Sequence, residues 1–438
     1  MTRREAHTAA EHAARESYSR LMALLAAASG DLALAEDALA TAFERALTSW
    51  PSDGVPANPE GWLLTVARNQ QRDVWKSAAH RTSKILDDTI SPGATTVTPF
   101  DDVDPDAIPD KRLELLFTCA HPAIDAAVRT PLMMQSVLGF EAADVATAFA
   151  VAPATMSQRL VRAKRRIRDA RIPFVVPDRT AMPERLPVVL EAVYGCFAIA
   201  WNDADGTDPD TVESMAGESL HLAVTLAALL EDPEAWGLAA LIALSLSRAP
   251  ARTGPFIPLD EQDPAGWDAA LIRDGEAMLR RASAFGRPHG RFQLEAAMQS
   301  VHADRARTGV VDWAALQTLS SALVAVAPTL GARIAHAAIV GRASSPADGL
   351  SLLDEFVGDA TGFGPFHAAK ADLLVRAGHS DAAREHFERA AELTGDERAR
   401  EYLRRRAARL CRDRRVPDGK RRTVEGGAGR VTPNGGNA

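Results

Sequence analysis

The sequence predicts an all-α protein. Alanine and leucine dominate while aromatic residues reach only 5%. Apolar residues recur at spacings of three and four, and alternating β-branched runs are scarce. From the N-terminus, Tyr18, Leu21, Met22 and Leu25 mark one helical stripe. Gly30 is placed to end that helix, and Asp31 to accept the free N–H groups of the next. Leu32, Ala35, Leu39, Phe43, Ala46 and Leu47 form the second stripe. Asn58-Pro59 supplies another cap with proline at the first helical position, so a third helix is expected over about Glu60 to Lys76.

Charge and turn residues divide the rest. Residues 85–110 hold Asp87, Asp88, Asp101, Asp102, Asp104, Asp106 and Asp110, with no Lys or Arg and with interspersed Pro and Gly, the composition of a flexible acidic linker. A Pro-punctuated stretch at 172–187 makes a second break. Residues 411–438, rich in Arg, Gly and Pro, are expected to be a disordered tail. Three helical regions remain: 12–84, 111–171 and 188–410. In the last of these, Ala303, Ala337 and Ala371 recur every 34 residues. Ala315, Gly349 and Ala383 keep the same register, as do Leu319, Leu353 and Phe387, then Ala322, Phe356 and Ala390. Small residues at fixed places let helices approach closely and the large ones fill the next gap, a pattern similar to the tetratricopeptide repeat.

Composition excludes several classes. Three separated cysteines (Cys119, Cys196, Cys411) make no disulfide framework or four-thiolate zinc site, and suit a reducing compartment. The N-terminal segment has no apolar core of the kind a signal peptide carries. The longest uncharged apolar stretch, 236–247, is well short of the ~18 residues of a membrane span. The expectation is a soluble, cytoplasmic chain. Without a glycine-rich phosphate loop, a metalloprotease helix signature or clustered histidines, no enzyme activity, cofactor or metal is expected.

Binding chemistry concentrates in two segments. In 139–171, a short helix over about Ala142 to Phe149 precedes a tight turn at Ala150-Val151-Ala152, and Pro153 opens a longer helix, the layout of a helix-turn-helix. Met156, Leu160, Ala163 and Ile167 share one face of that longer helix; Thr155, Gln158, Arg159, Arg162 and Arg166 share another. Seven basic residues against Asp169 give a net +6 between Pro153 and Arg171, in a chain whose overall charge is -8. That concentration is an electrostatic footprint for phosphates, and Arg and Gln near the helix start can reach base edges. In 58–84, Trp62, Leu63, Val66 and Ala67 can pack inward. Arg68, Asn69, Arg72, Trp75, Lys76 and Arg81 are left outward, cations plus an aromatic that suit unpaired bases. The helix before it is acidic, with Asp31, Glu36, Asp37 and Glu44 against Arg45, so a protein partner on one face and nucleic acid on the other is expected.

The run GDLALAEDALATAFERALTSWPSDGVPANPEGWLLTVARNQQRDVW resembles region 2 of bacterial extracytoplasmic-function sigma factors. The run PDKRLELLFTCAHPAIDAAVRTPLMMQSVLGFEAADVATAFAVAPATMSQRLVRAKRRIRDARIPF resembles region 4 of the same family. The chain is similar in particular to the subgroup with a C-terminal tetratricopeptide-like extension, over about residues 15–410. The resemblance implies a non-enzymatic subunit that binds core RNA polymerase and directs it to promoter DNA, with a further protein or small-molecule partner for the repeats. It implies polymerase contacts at Asp31, Glu36, Asp37 and Phe43. Asn69, Arg72, Trp75 and Lys76 would meet the melted minus-ten strand. Thr155, Gln158, Arg159 and Arg162 would approach minus-thirty-five bases, with Lys164, Arg165 and Arg166 on the backbone. Glu141 departs from the family's usual Thr or Ser, and Ala120 from one of two adjacent cysteines before His121. Where many relatives carry Asn-Glu-Gly-Tyr, this chain has Trp201-Asn202-Asp203-Ala204-Asp205-Gly206-Thr207. The alternative is a helix-turn-helix regulator with a repeat sensor, acting on duplex DNA without polymerase.

Overall fold

A computed structural model describes residues 3–83, 108–149, 151–175, 177, 180–202, 209–252 and 254–413. Most of the acidic segment 85–110, the Asp203–Thr207 stretch and the tail from 414 lie outside them. Among the described residues there is no β-strand, and the protein is all-helical. In chain order the helices are α1 (Arg3–Ser29), α2 (Leu32–Asp53), α3 (Pro59–Ser83), α4 (Ile108–Cys119), α5 (Ala126–Ser136), α6 (Ala142–Ala148) and α7 (Pro153–Asp169). There follow α8 (Met182–Asn202), α9 (Pro209–Leu230), α10 (Pro233–Leu246), α11 (Ala269–Ser283), α12 (Arg291–Ala303), α13 (Arg305–Thr308) and α14 (Trp313–Val326). The last are α15 (Leu330–Ala343), α16 (Pro346–Asp354), α17 (Val357–Ala360), α18 (Gly364–Arg376), α19 (Ser380–Leu393) and α20 (Glu397–Asp413). They form two compact units, 1–254 with 258–327, and 255–257 with 328–438. The boundary after residue 327 falls inside the segment 188–410 that the sequence presents as one region.

In the first unit the helix ends follow local chemistry. Gly30 closes α1 with a left-handed φ of 67°, its N–H donating to Ala26 O at 2.8 Å. The Asp31 carboxylate then accepts from the N–H groups of Ala33 (3.0 Å) and Leu34 (3.3 Å). Asn58 Oδ1 accepts from Gly61 N–H at 2.8 Å and starts α3, which runs on to Ser83, past the expected end. Helix α8 begins at Met182, within the stretch read as a break, and carries Pro187 inside it at the loss of one helical hydrogen bond.

Packing joins these helices around a contiguous core. Helix α1 lies against α2, α3 and α4; α4 and α5 lie against α8; and α2 and α5 both meet α7. Helix α10 is apolar all round and is covered by α8, α9, α11 and α12, with every residue from Ala235 to Ser245 buried. The uncharged run at 236–247 is therefore a central core helix. No described helix is long and apolar enough to cross a membrane.

The second unit is built from helix pairs, α15 with α16 and α18 with α19, and α20 packs on α19. Positions predicted by the 34-residue register meet here. Ala337 and Ala371, Gly349 and Ala383, Leu353 and Phe387, and Phe356 and Ala390 are all buried. The first copy of the register, α12 with α14, belongs to the first unit, where Ala303 is buried while Ala315, Leu319 and Ala322 are half-buried.

Between α18 and α19 the Nδ1 atoms of His367 and His386 lie 2.9 Å apart. His367 Nε2 is 3.0 Å from Thr361 O, so that nitrogen donates and His367 Nδ1 accepts from His386. Burial, then His367 and Lys370, hold His386 below the usual histidine range. A histidine depressed in the folded state contributes stability that is present above its ordinary pKa of about 6.5 and is lost as pH falls through the folded value. Denaturation of the second unit, followed by far-UV circular dichroism, is expected to ease as pH drops from 7 to 5, and His386→Asn is expected to flatten that dependence.

Candidate nucleic-acid interface

The candidate surface centres on α7. Pro153 occupies its first turn, and Ala152 at the N-cap offers no side-chain acceptor to the free N–H groups. Met156, Leu160, Ala163 and Ile167 are all buried, as their spacing requires. Thr155, Gln158, Arg162, Arg165 and Arg166 are exposed, and Arg159 is half-buried. Arg162 Nε donates to Gln158 O at 3.3 Å, and Arg166 Nε to Ala123 O at 3.4 Å. A cleft of about 300 Å³, lined by Thr130, Pro131, Phe149, Val151, Met156 and Arg159 among others, opens beside the start of α7. Helix α6 precedes α7 across a short turn and buries Val145 and Ala146.

Lys164 departs from the expected arrangement. It is 7% exposed, and its Nζ lies 2.5 Å from Glu36 Oε2. Ser136 Oγ donates to the other Glu36 oxygen at 3.1 Å. Glu36 and Lys164, assigned above to two different partners, thus hold each other across the α2–α7 contact. Lys164 is withdrawn from solvent, and both carboxylate oxygens of the half-buried Glu36 are engaged. The reason is helical arithmetic: Lys164 stands four residues after Leu160 and three before Ile167, within the apolar stripe. Glu36 stands four after Leu32 and three before Leu39 on α2. Each is a charge in an apolar seam, and such a seam tolerates it only when paired and hydrogen-bonded.

Other groups collect around this pair. Arg168 Nη1 approaches Asp31 Oδ2 at 3.7 Å, so Asp31 both caps α2 and faces α7. Burial, with the Glu36 charge, pushes the Tyr18 phenol up. Burial likewise pushes the fully buried Cys119 thiol up, outweighing Lys164, so Cys119 is a packed thiol. His121 Nδ1 accepts from Ala123 N–H at 3.1 Å and shapes the turn before α5. Of the remaining α2 candidates, Asp37 is exposed and Phe43 is half-buried against the core.

On α3, Leu63 and Ala67 are fully buried, and Trp62 meets Trp50 edge-on with centroids 5.5 Å apart. Gln71 is buried too, its Nε2 donating to Leu25 O at 3.2 Å. Asn69, Arg72 and Lys76 are exposed or partly so, with Arg72 Nη1 3.5 Å from Asn69 Oδ1. Trp75 is half-buried, and so is Arg68, which the spacing placed outward. The Arg81 side chain lies outside the described residues.

Sequence reasoning missed Ser136, Tyr18 and Arg168 as neighbours of the Glu36–Lys164 pair. No local pattern marks Ser136 and Tyr18, because they come from α5 and α1; Arg168 stands four residues after Lys164 on α7 and is its neighbour by helical spacing. The two seam charges themselves were legible from their spacing.

Residues 14–81 match the family Sigma-70 region 2. Residues 185–283 match a family of unknown function, DUF6596. The chain is 31% identical over 379 residues to "Uncharacterized protein R00370" of Rhizobium meliloti (strain 1021), spanning 85% of this chain and 89% of that protein. A likeness to the crystal structure of yeast Tom70 covers 95% of this chain and 86% of that one, at 14% identity and a TM-score of 0.31. A score that low carries no architectural meaning. The match at 14–81 takes in most of α1, all of α2 and nearly all of α3, the helices that build the acidic and aromatic-cationic surfaces. The chain belongs to one family with the Rhizobium meliloti protein and carries at its N-terminus a sigma-70 region 2 domain, the mark of a sigma-70 family factor.

Proposed function

We propose that this protein is a sigma factor of the extracytoplasmic-function type that binds core RNA polymerase and directs promoter-specific initiation, with its C-terminal helices regulating it in cis. One observation carries the reading: a sigma-70 region 2 domain shares a compact unit with an exposed cationic helix preceded by a short helix and turn. Helix α7 acts as the recognition helix of a helix-turn-helix. It offers Thr155, Gln158, Arg159 and Arg162 to duplex bases, and Arg165 and Arg166 to the backbone. Asn69, Arg72, Trp75 and Lys76 on α3 take the melted strand, where rings stack on bases and cations hold phosphates. Asp37 and Phe43 on α2 meet the polymerase. Glu36 joins them only once α7 has left α2, which makes the described arrangement a closed form.

Regulation in cis is supported by the packing of α4 and α5 on α8 and by the ion pair of Arg112 with Glu218 on α9. The tetratricopeptide-like register of the later helices makes them the place for a protein or small-molecule signal. Because α8 covers apolar faces of α4 and α5, cutting the chain before it would expose core as well as remove the regulator.

The deciding experiment is reconstitution of the full chain with core polymerase and promoter-dependent transcription. Stimulation that is lost on changing Asn69 and Lys76 to Ala supports the reading. Duplex binding without stimulation at any promoter would favour a regulator that acts without polymerase. Separately, Arg159→Ala with Arg162→Ala is expected to weaken duplex binding and flatten its salt dependence, by a log–log slope of about one for each phosphate no longer neutralised. An unchanged slope would mean that these residues touch no phosphate.

A further inference from the structure

Helix α10 runs at its C-terminal end into a 3-10 turn, Ala249–Arg252. Arg248 and Arg252 both reach one ring there, that of Trp201 at the end of α8. The guanidinium carbon of Arg252 lies 4.0 Å from the ring centroid and that of Arg248 lies 5.8 Å away. Phe197 backs the indole, with centroids 5.6 Å apart and an interplanar angle of 30°.

Arg248 is the unusual member. Its Nε is buried with no hydrogen-bond partner, and no carboxylate among the described residues pairs with it. Burial, then the neighbouring charge of Arg252, push it down to about 10. Three other arginines of the same unit also sit on aromatic rings: Arg281, over Trp236, is exposed to water, and the two more covered ones satisfy their donors with oxygen. Arg291 lies over Tyr194 and reaches Glu191 and Glu295 at 2.6 and 2.8 Å. Arg305 lies over Trp267 and donates to Asp260 O and Gln262 O. Arg248 has the ring and lacks the oxygens. Arg248 is half-buried, and its Nε is the donor withdrawn from water; such a donor needs its hydrogen bond supplied, and a ring face returns only part of what water gave.

We propose that Arg248, held on Trp201 beside the charge of Arg252, forms a binding site for an oxyanion, the phosphate or carboxylate group of a small ligand. A planar guanidinium fork matches two oxygens of such a group through parallel N–H···O bonds. The stacking on indole holds the fork in place before the ligand arrives, so less freedom is lost on binding. The site lies within the stretch that matches DUF6596 and does not depend on α7, α3 or the polymerase reading.

Titrating the full-length protein with inorganic phosphate, and in parallel with succinate, tests it, each at constant ionic strength set by chloride. Tryptophan fluorescence and thermal unfolding are the readouts. A saturable response to one of the two is expected, and which one identifies the oxyanion. Arg248→Gln is expected to weaken that response at least tenfold. Arg248→Lys, which keeps the charge and loses the fork, guards against a variant that fails to fold and is expected to weaken it as well. Trp201→Phe is expected to retain the thermal response while losing the fluorescence change. Responses no different from chloride, or unchanged in both Arg248 variants, would overturn the proposal. An unchanged response would place the anion on another basic surface, such as α7.

Discussion

Glu36→Ala is expected to destabilise the first unit by about 3 kcal/mol, because it strands the Lys164 ammonium in an apolar seam. The two partners are not equally buried: the Lys164 side chain is 8% exposed and that of Glu36 is 23% exposed. Lys164→Met removes the more buried charge and leaves a carboxylate that still accepts from Ser136. Its cost is therefore expected to be smaller, about 1–2 kcal/mol. The double variant Glu36→Leu/Lys164→Met is expected to lie within about 1 kcal/mol of the parent, since an apolar pair of similar volume avoids desolvating either charge. All seven tryptophans, from Trp50 to Trp313, fall in the first unit, so urea unfolding followed by tryptophan fluorescence reports on that unit alone. Equal costs for the two single variants, or a double variant less stable than either of them, would show that the pair does not lock α7 to α2.

Gly349→Ala is expected to cost the second unit about 2 kcal/mol. An added Cβ would stand 2.6 Å from Ala337 O and 2.7 Å from Gly341 Cα, both backbone atoms of α15. Helix propensity favours alanine here by about 1 kcal/mol. Backbone cannot step aside as a side chain can, so the clash outweighs that gain and α15 and α16 must separate. Gly331→Ala in the same unit has nothing within 4 Å of its new Cβ and is expected to stabilise by up to about 1 kcal/mol. Far-UV circular dichroism should show both shifts while tryptophan fluorescence stays unchanged. A neutral Gly349→Ala would mean that the helix pair is looser than this close approach implies.

Much of the fold was legible because its cues are local. Gly30 and Asp31 end and start helices through backbone N–H and C=O groups a few residues away. The buried face of α7 follows from a period of 3.6. The central place of α10 follows from an apolar run with no polar side. In the second unit the 34-residue register fell on buried positions because repeated helix pairs repeat their close approaches, whereas its first copy is mostly half-buried. The candidate interface was legible only in part. Arg162, Arg165 and Arg166 are exposed as charge patterning suggests, whereas Lys164 in the same basic run is buried. A charge count over a window cannot separate these, and the position on the helical stripe can. Arg68 and Trp75 turned partly inward for a different reason: how far a long side chain is covered depends on which helix passes over it.

The chain's own order of residues determined where helices begin and end, which stripes are apolar, where positive charge gathers and that a 34-residue period exists. Tertiary structure alone decided that a carboxylate on α2 closes on an ammonium 128 residues later, that α8 covers α4 and α5, and that Arg248 meets a ring instead of an acid. Capping, periodicity and local charge arise from atoms within a turn or two of each other, so a linear reading contains them. Burial of a charge and the choice of its partner depend on surfaces that meet only after the chain has collapsed, and the cost of leaving that charge unpaired then selects the arrangement.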